Sequence, residues 1–258
     1  MAKFSANISM LFKEVDFLDR FERSARAGFR AVEFMFPYEW DKSLLKGRIQ
    51  AHGLQVVLHN LPPGNWSAGE RGLACLPDRV TEFREGVVRA IDYATTLGCP
   101  RLNCLAGIPP TTLPADRWRE TLISNVRYAA EETGKAGIAL LVEAINIVDM
   151  PGFCLNRTST TIDLIREVDH PNLFLQYDVY HMQMTEGNLI NTIRLNLPRI
   201  AHIQIADVPG RHEPGTGEIN FENLFQAVDD MGYAGWIGCE YMPAAQTEAG
   251  LGWVSQYL

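Results

Sequence analysis

Ala139-Leu-Leu-Val-Glu143 is a short apolar run that ends on a carboxylate. It is too short for a buried helix and follows Gly137, so it reads as a buried strand. Upstream, residues 115–135 carry a helical pattern. Downstream, a loop over 144–157 leads into another at 158–167. The same unit of strand, loop and helix recurs along the chain. The other apolar runs are Phe4–Ile8, Ala31–Phe34, Gln55–His59, Arg101–Leu105, Leu173–Asp178, Ile200–Ile205 and Trp236–Glu240. The other helical patterns fall near 16–27, 41–52, 79–97, 187–194, 221–231 and 247–257. Gly28, Gly53, Gly98, Gly137 and Gly232 follow the ends of five helices, where a left-handed cap wants glycine, and Asp116 and Thr158 are candidate helix starts. Strands alternating with helices require a parallel sheet with crossovers. Eight such units in 258 residues predict an α/β fold, a single-domain (β/α)8 TIM barrel over 1–258. An open doubly wound sheet usually carries a glycine-rich loop after its first strand, and Asn7-Ile-Ser-Met-Leu has none.

The composition fits a soluble globular protein. Hydrophobic residues make up 47% and charged residues 21%, and no apolar run approaches the roughly 20 residues that span a bilayer. The first residues lack the long apolar stretch of a signal peptide, which predicts a cytosolic protein. Five dispersed cysteines with no CxxC pair argue against a disulfide framework or a zinc ribbon, and each reads as a small core hydrophobe. A net charge of −8 repels a phosphate backbone, so nucleic acid is not an expected partner, while a local site for an acidic small molecule is compatible with it.

The chemistry gathers at the ends of the late strands, the end at which barrel enzymes build their sites. Strand five ends on Glu143, strand six on Asp178 and strand eight on Glu240. Strand seven carries Gln204 in His202-Ile-Gln-Ile-Ala-Asp207. A carboxylate after an apolar run is costly to bury unless something pairs with it. Any one of these acids could be a helix cap or a loop ion pair; four consecutive strands converging is a different matter. Four oxygen donors suit a hard divalent cation such as Mg²⁺ or Mn²⁺. Glu143 and Glu240 could also flank a small substrate, one removing a carbon-bound proton beside a carbonyl and the other returning one.

Around them stand four candidate substrate contacts. His181 follows Asp178 by three residues and could reach a substrate oxygen, or be a cap or surface histidine. His59 ends strand three and could line the pocket or be packed. Arg211, in Val208-Pro-Gly-Arg211-His212, could hold a carboxylate bidentately or sit solvated in its loop. Glu70, in the long loop 60–78, could belong to a lid or serve a cap. Glu33 fits either the site or a structural ion pair. Neither G-x-x-x-x-G-K-[ST] nor G-x-S-x-G occurs, and no organic cofactor is expected.

Several of these stretches together resemble the hydroxypyruvate isomerase family, within the xylose-isomerase-like barrel superfamily. They are Phe4-Ser-Ala-Asn-Ile-Ser-Met-Leu-Phe, Val32-Glu-Phe-Met-Phe-Pro-Tyr, Ala68-Gly-Glu-Arg-Gly, Tyr177-Asp-Val-Tyr-His, His202-Ile-Gln-Ile-Ala-Asp, Arg211-His-Glu-Pro-Gly-Thr-Gly-Glu-Ile-Asn and Trp236-Ile-Gly-Cys-Glu-Tyr. They cover the chain from end to end. The resemblance implies interconversion of hydroxypyruvate and 2-hydroxy-3-oxopropanoate, with Glu143 and Glu240 as the proton donor and acceptor. It also implies metal ligands at Glu143, Asp178, Gln204 and Glu240. The related ketose 3-epimerases carry histidine where this chain has Gln204, an exchange that favours Mg²⁺ over softer ions. The sister group, the 2-oxo-tetronate isomerases acting on a four-carbon acid, shares the core motifs. Two other classes compete. A metal-dependent nuclease of the superfamily would hold several metals with many histidines, and only six are present, on an acidic chain. A non-catalytic sugar-acid binder would be free to lose Glu143 and Glu240. The expected partner is a small 2-oxo or hydroxy acid; the sequence leaves an oligomer open.

Overall fold

A computed structural model describes residues 2–258. Eight parallel strands close into a barrel in the order β1 to β8: Lys3–Asn7, Ala31–Phe34, Gln55–Asn60, Arg101–Cys104, Ala139–Glu143, Leu173–Asp178, Ile200–Ile205 and Trp236–Cys239. The helices are α1 (Arg20–Arg26), α2 (Lys42–Ala51), α3 (Val80–Leu97), α4 (Ala115–Lys135), α5 (Thr158–Val168), α6 (Val179–Thr185), α7 (Leu189–Asn196) and α8 (Phe221–Asp230). The expected TIM barrel is therefore the fold. The expected helical pattern at 247–257 forms instead a 3₁₀ helix, Thr247–Trp253, and an additional helix, α6, springs directly from β6 with the last residue of that strand, Asp178, as its N-cap. Asp116 lies within the first turn of α4 and Thr158 is the first residue of α5, but neither caps its helix. The Thr158 hydroxyl instead donates to Glu186.

The helices form because their apolar residues recur at helical spacing. In α3, Phe83, Val87, Ala90, Ala94 and Leu97 make one buried stripe, and Gly98 ends it at φ +67° in the left-handed conformation. Such stripes pack on the outer faces of the strands and make the main core. A smaller cluster of Ala31, Val57, Leu58 and Leu141 lies inside the barrel toward the strands' N-terminal ends. Above it the lumen turns polar: Ser5, Asn7, Glu33, Asn103, Gln176, His202 and Gln204 are all buried there. Barrel interiors are usually filled by branched aliphatics, so a polar layer beneath the strand ends is already a mark of a site.

Glu33 anchors that layer. Its carboxylate accepts from Ser5 Oγ and Gln204 Nε2 at 2.8 Å and from Asn7 Nδ2 at 3.3 Å, and lies 2.8 Å from His202 Nε2. Room for it comes from Gly238 on β8, where a Cβ would lie 2.3 Å from Glu33 Oε1. Gly238→Ala should therefore destabilise the fold by roughly 3 kcal/mol, overpacking the lumen and displacing a buried, fully bonded carboxylate. Urea unfolding followed by tryptophan fluorescence checks this; a loss below about 1 kcal/mol would show that Glu33 moves aside freely.

Pairing between β2 and β3 contains a bulge: Val32 pairs with Val56, but Glu33 pairs with Leu58 and Phe34 with His59. One extra residue inverts which face the rest of β3 presents.

Candidate active site

Glu143 ends β5 on the lumen side. Its Oε2 accepts 2.9 Å bonds from Asn103 Nδ2 of β4 and Gln176 Nε2 of β6, two amides on the same face of neighbouring strands. Asp178 ends β6, pairs in register with Gln204, and caps α6: Oδ1 accepts from the N–H groups of Tyr180 (2.8 Å) and His181 (3.2 Å). That capping leaves Oδ2 turned toward the site. There it lies 3.5 Å from His181 Nε2 and 3.4 Å from Arg211 Nη2. His181 Nε2 also approaches Glu143 Oε1 at 4.0 Å. Glu240, just past β8, accepts from Asn7 Nδ2 at 3.0 Å and from Arg211 Nη2 at 2.9 Å. Asp178 thus sits between the two glutamates, joined to one side through His181 and to the other through Arg211.

Arg211 comes from the connection 206–220, which is organised by a buried acid. The Asp207 carboxylate accepts from the backbone N–H groups of Val208, Gly215, Gly217 and Ile219 at 2.8–3.1 Å. Arg211 itself is held at φ +57°, a left-handed conformation that is strained for a residue with a Cβ and is typical of functional loops. Its guanidinium lies over the Tyr180 ring at 4.9 Å. Its buried Nε has no hydrogen-bond partner.

A belt of hydrogen bonds runs beneath these groups. Gln176 Nε2 bonds both Glu143 and Gln204 Oε1, Gln204 Nε2 bonds Glu33, and Asn7 bonds both Glu33 and Glu240. The two glutamates are thereby fixed by one connected network.

Burial governs the electrostatics. Glu143 and Glu240 are 5% and 7% exposed, and burial, with Asp178 nearby, pushes both carboxyls above the usual range; the Arg211 cation works the other way on each. Burial holds His181 neutral, its pKa pulled down to about 4.

The structure brings Glu143, Asp178, Glu240, His181 and Arg211 together. Gln204 borders them with its amide committed to Gln176 and Glu33. Two expected substrate contacts lie elsewhere. His59 is turned outward by the β3 bulge, stacks on Phe34 at 6.1 Å and is packed near Tyr38; burial draws its pKa down to about 4. Glu70 is taken up within its own loop, accepting from Arg79 at 2.7 Å and from the Asn65 N–H. His212 bonds the Met242 carbonyl oxygen. Asn103, Asn146 and Gln176, the amides that hold the acids and His181, are the functional residues that reading for charge passes over.

The donor set admits a cation. Ligand atoms of Glu143, Asp178 and His181 all lie within 4.8 Å of one another, and two buried carboxylates with turned-in oxygens suit a hard divalent ion. The set could hold a metal, while Gln204 and Glu240 already have protein partners. Among the described residues no helix is long and apolar enough to cross a membrane.

A family model described as a xylose isomerase-like TIM barrel matches residues 21–257. The chain is 52% identical over 257 residues, 100% of both chains, to hydroxypyruvate isomerase of Escherichia coli (strain K12). It is 47% identical over 258 residues to 2-oxo-tetronate isomerase of Cupriavidus necator, covering 100% of this chain and 99% of that one. Among solved structures, one described as an AP endonuclease, family 2, from Brucella melitensis superposes with a TM-score of 0.97 at 43% identity, covering 100% of this chain and 99% of that one.

Proposed function

The chain belongs to the hydroxypyruvate isomerase and 2-oxo-tetronate isomerase family of xylose isomerase-like TIM barrels, and on that premise we propose that it interconverts hydroxypyruvate and 2-hydroxy-3-oxopropanoate. The observation that carries the reading is the pair of buried glutamates, Glu143 and Glu240, set on either side of Asp178, with a guanidinium that has an unpaired N–H.

The reaction needs one ionised carboxylate and one protonated carboxyl. Burial raises both carboxyls, which favours keeping one of them protonated as the donor, and a base is most effective when its pKa is near the working pH. The substrate carboxylate pairs with Arg211, whose free Nε supplies a donor beyond those spent on the acids. One glutamate removes a C3 proton, and its electron pair forms the C2–C3 double bond of an enediolate. The other glutamate donates a proton to C2, the hydroxyl proton of the C3 oxygen passes to the C2 oxygen, and the carbonyl re-forms at C3. No redox partner is needed, because C3 is oxidised as C2 is reduced. A divalent cation held by Glu143 and Asp178 would supply Lewis-acid stabilisation of the oxygens.

The four-carbon reading is the alternative within the family, supported by the relative of Cupriavidus necator. One carbon is worth only about 1–3 kcal/mol in a pocket, so both acids should turn over, at rates differing by roughly 10- to 200-fold. Comparing kcat/KM for hydroxypyruvate and the four-carbon 2-oxo acid tests the assignment. A higher value for the three-carbon acid is expected; the reverse order would move the chain to the 2-oxo-tetronate group. The nuclease name attached to the Brucella melitensis structure draws no support from the net charge of −8.

A further inference from the structure

We propose that Asn146 is a positioning residue that locks the His181 ring in the tautomer carrying its proton on Nε2, so that His181 presents a hydrogen-bond donor to a substrate oxygen. The catalytic use of that donor rests on the isomerase reading; the tautomer itself does not.

Asn146 is fully buried in the loop that follows β5. Its side-chain oxygen accepts from the backbone N–H groups of Val148 at 3.0 Å and Asp149 at 2.8 Å. Backbone N–H groups only donate, so the atom that faces them must be the oxygen. The amide cannot be turned over, and its orientation follows from chemistry alone. Its NH₂ group then has two hydrogens and two neighbours: Asp149 Oδ2 at 3.1 Å and His181 Nδ1 at 2.7 Å. A donor at 2.7 Å obliges Nδ1 to offer its lone pair. In a neutral imidazole the proton must then reside on the other nitrogen.

That other nitrogen is the one in the site. Nε2 lies 3.5 Å from Asp178 Oδ2 and 4.0 Å from Glu143 Oε1, close enough to be drawn toward the acids and too far to be spent on either. A preset N–H at such a place is what a developing enediolate oxygen requires, and it needs no rearrangement during the reaction. A doubly protonated ring would set Nδ1–H against the Asn146 N–H. A cation at this cluster would therefore rest on Glu143 and Asp178, with His181 joining only if its tautomer inverted.

The test exploits the two roles of Asn146. Asn146→Asp keeps an oxygen for the Val148 and Asp149 N–H groups, preserving the turn, but replaces the NH₂ by a second acceptor. The ring should then invert to Nδ1–H. Long-range ¹H–¹⁵N correlation spectra of histidine-labelled protein without substrate, with His181→Gln assigning the signal, read the tautomer directly. The wild-type chain should show a protonated Nε2, and the variant a protonated Nδ1. The variant's kcat should fall about 100-fold, and its affinity for Mn²⁺ alone should rise at least tenfold as Nε2 becomes a lone-pair donor. Asn146→Asp combined with Asp149→Asn gives the same comparison without two carboxylates facing each other, and the wild-type spectrum decides the tautomer even if neither variant folds. A wild-type ring protonated on Nδ1 would overturn the proposal, as would a variant with an inverted ring and full activity. A wild-type ring protonated on Nε2 in a chain that isomerises neither acid would uphold the tautomer and defeat the functional reading instead.

Discussion

Glu143→Gln and Glu240→Gln should each lower kcat by about 10³-fold or more while leaving a folded barrel. Both carboxylates are buried, both are raised in pKa by that burial, and the donors that orient them, Asn103 and Gln176 at Glu143 and Asn7 and Arg211 at Glu240, remain when the glutamate becomes glutamine. In Glu143→Gln the new side-chain carbonyl oxygen can still accept from Asn103 and Gln176, so the network closes around it. What is lost is the ability to take up or release a proton, worth about 4 kcal/mol at a 10³-fold effect. Circular dichroism and the unfolding midpoint of each variant should match the parent closely. Turnover within tenfold of the parent in either variant would remove that glutamate from the mechanism.

Arg211→Met should be nearly as severe, with a different signature. The guanidinium neutralises Asp178 and Glu240 and retains an unpaired N–H for a substrate carboxylate. Removing it leaves buried carboxylates without their cation, an imbalance of about 3–5 kcal/mol. It also removes the group that fixes the acid end of the substrate. We expect kcat/KM to fall roughly 10³-fold, with much of the loss in KM, and Arg211→Lys to recover only part of it because an ammonium cannot serve both acids and a substrate in the same planar fork. Steady-state kinetics with hydroxypyruvate checks this. An unchanged KM in Arg211→Met would assign the carboxylate grip to another residue.

The acids of this site are legible in the sequence because each stands at the end of an apolar strand, where an unpaired charge is costly. Glu143, Asp178 and Glu240 announce themselves in that way, and the hydrogen bonds they make show that they face the lumen. His59 is not legible. A single bulged residue between Val56 and Leu58 turns it from the lumen to the outer layer, and a bulge with no glycine leaves no trace in the residue pattern. Glu70 is ambiguous for another reason: its partner Arg79 is close in sequence, and an acidic residue in a long loop looks the same whether it ties the loop down or reaches a ligand. The supporting amides could have been found. Asn103 and Gln176 occupy buried, lumen-facing positions on their strands, and a buried amide needs partners as much as a buried acid does. The Asp178 cap that starts α6 is visible only once β6 and α6 are seen to abut.

Proton transfer between adjacent carbons by Glu143 and Glu240 is read by ¹H NMR of hydroxypyruvate with the purified chain in D₂O, with and without added Mg²⁺. Loss of the C3 proton signal, appearance of an aldehyde signal and deuterium at C2 of the product are expected. An unchanged C3 signal under both conditions would contradict it.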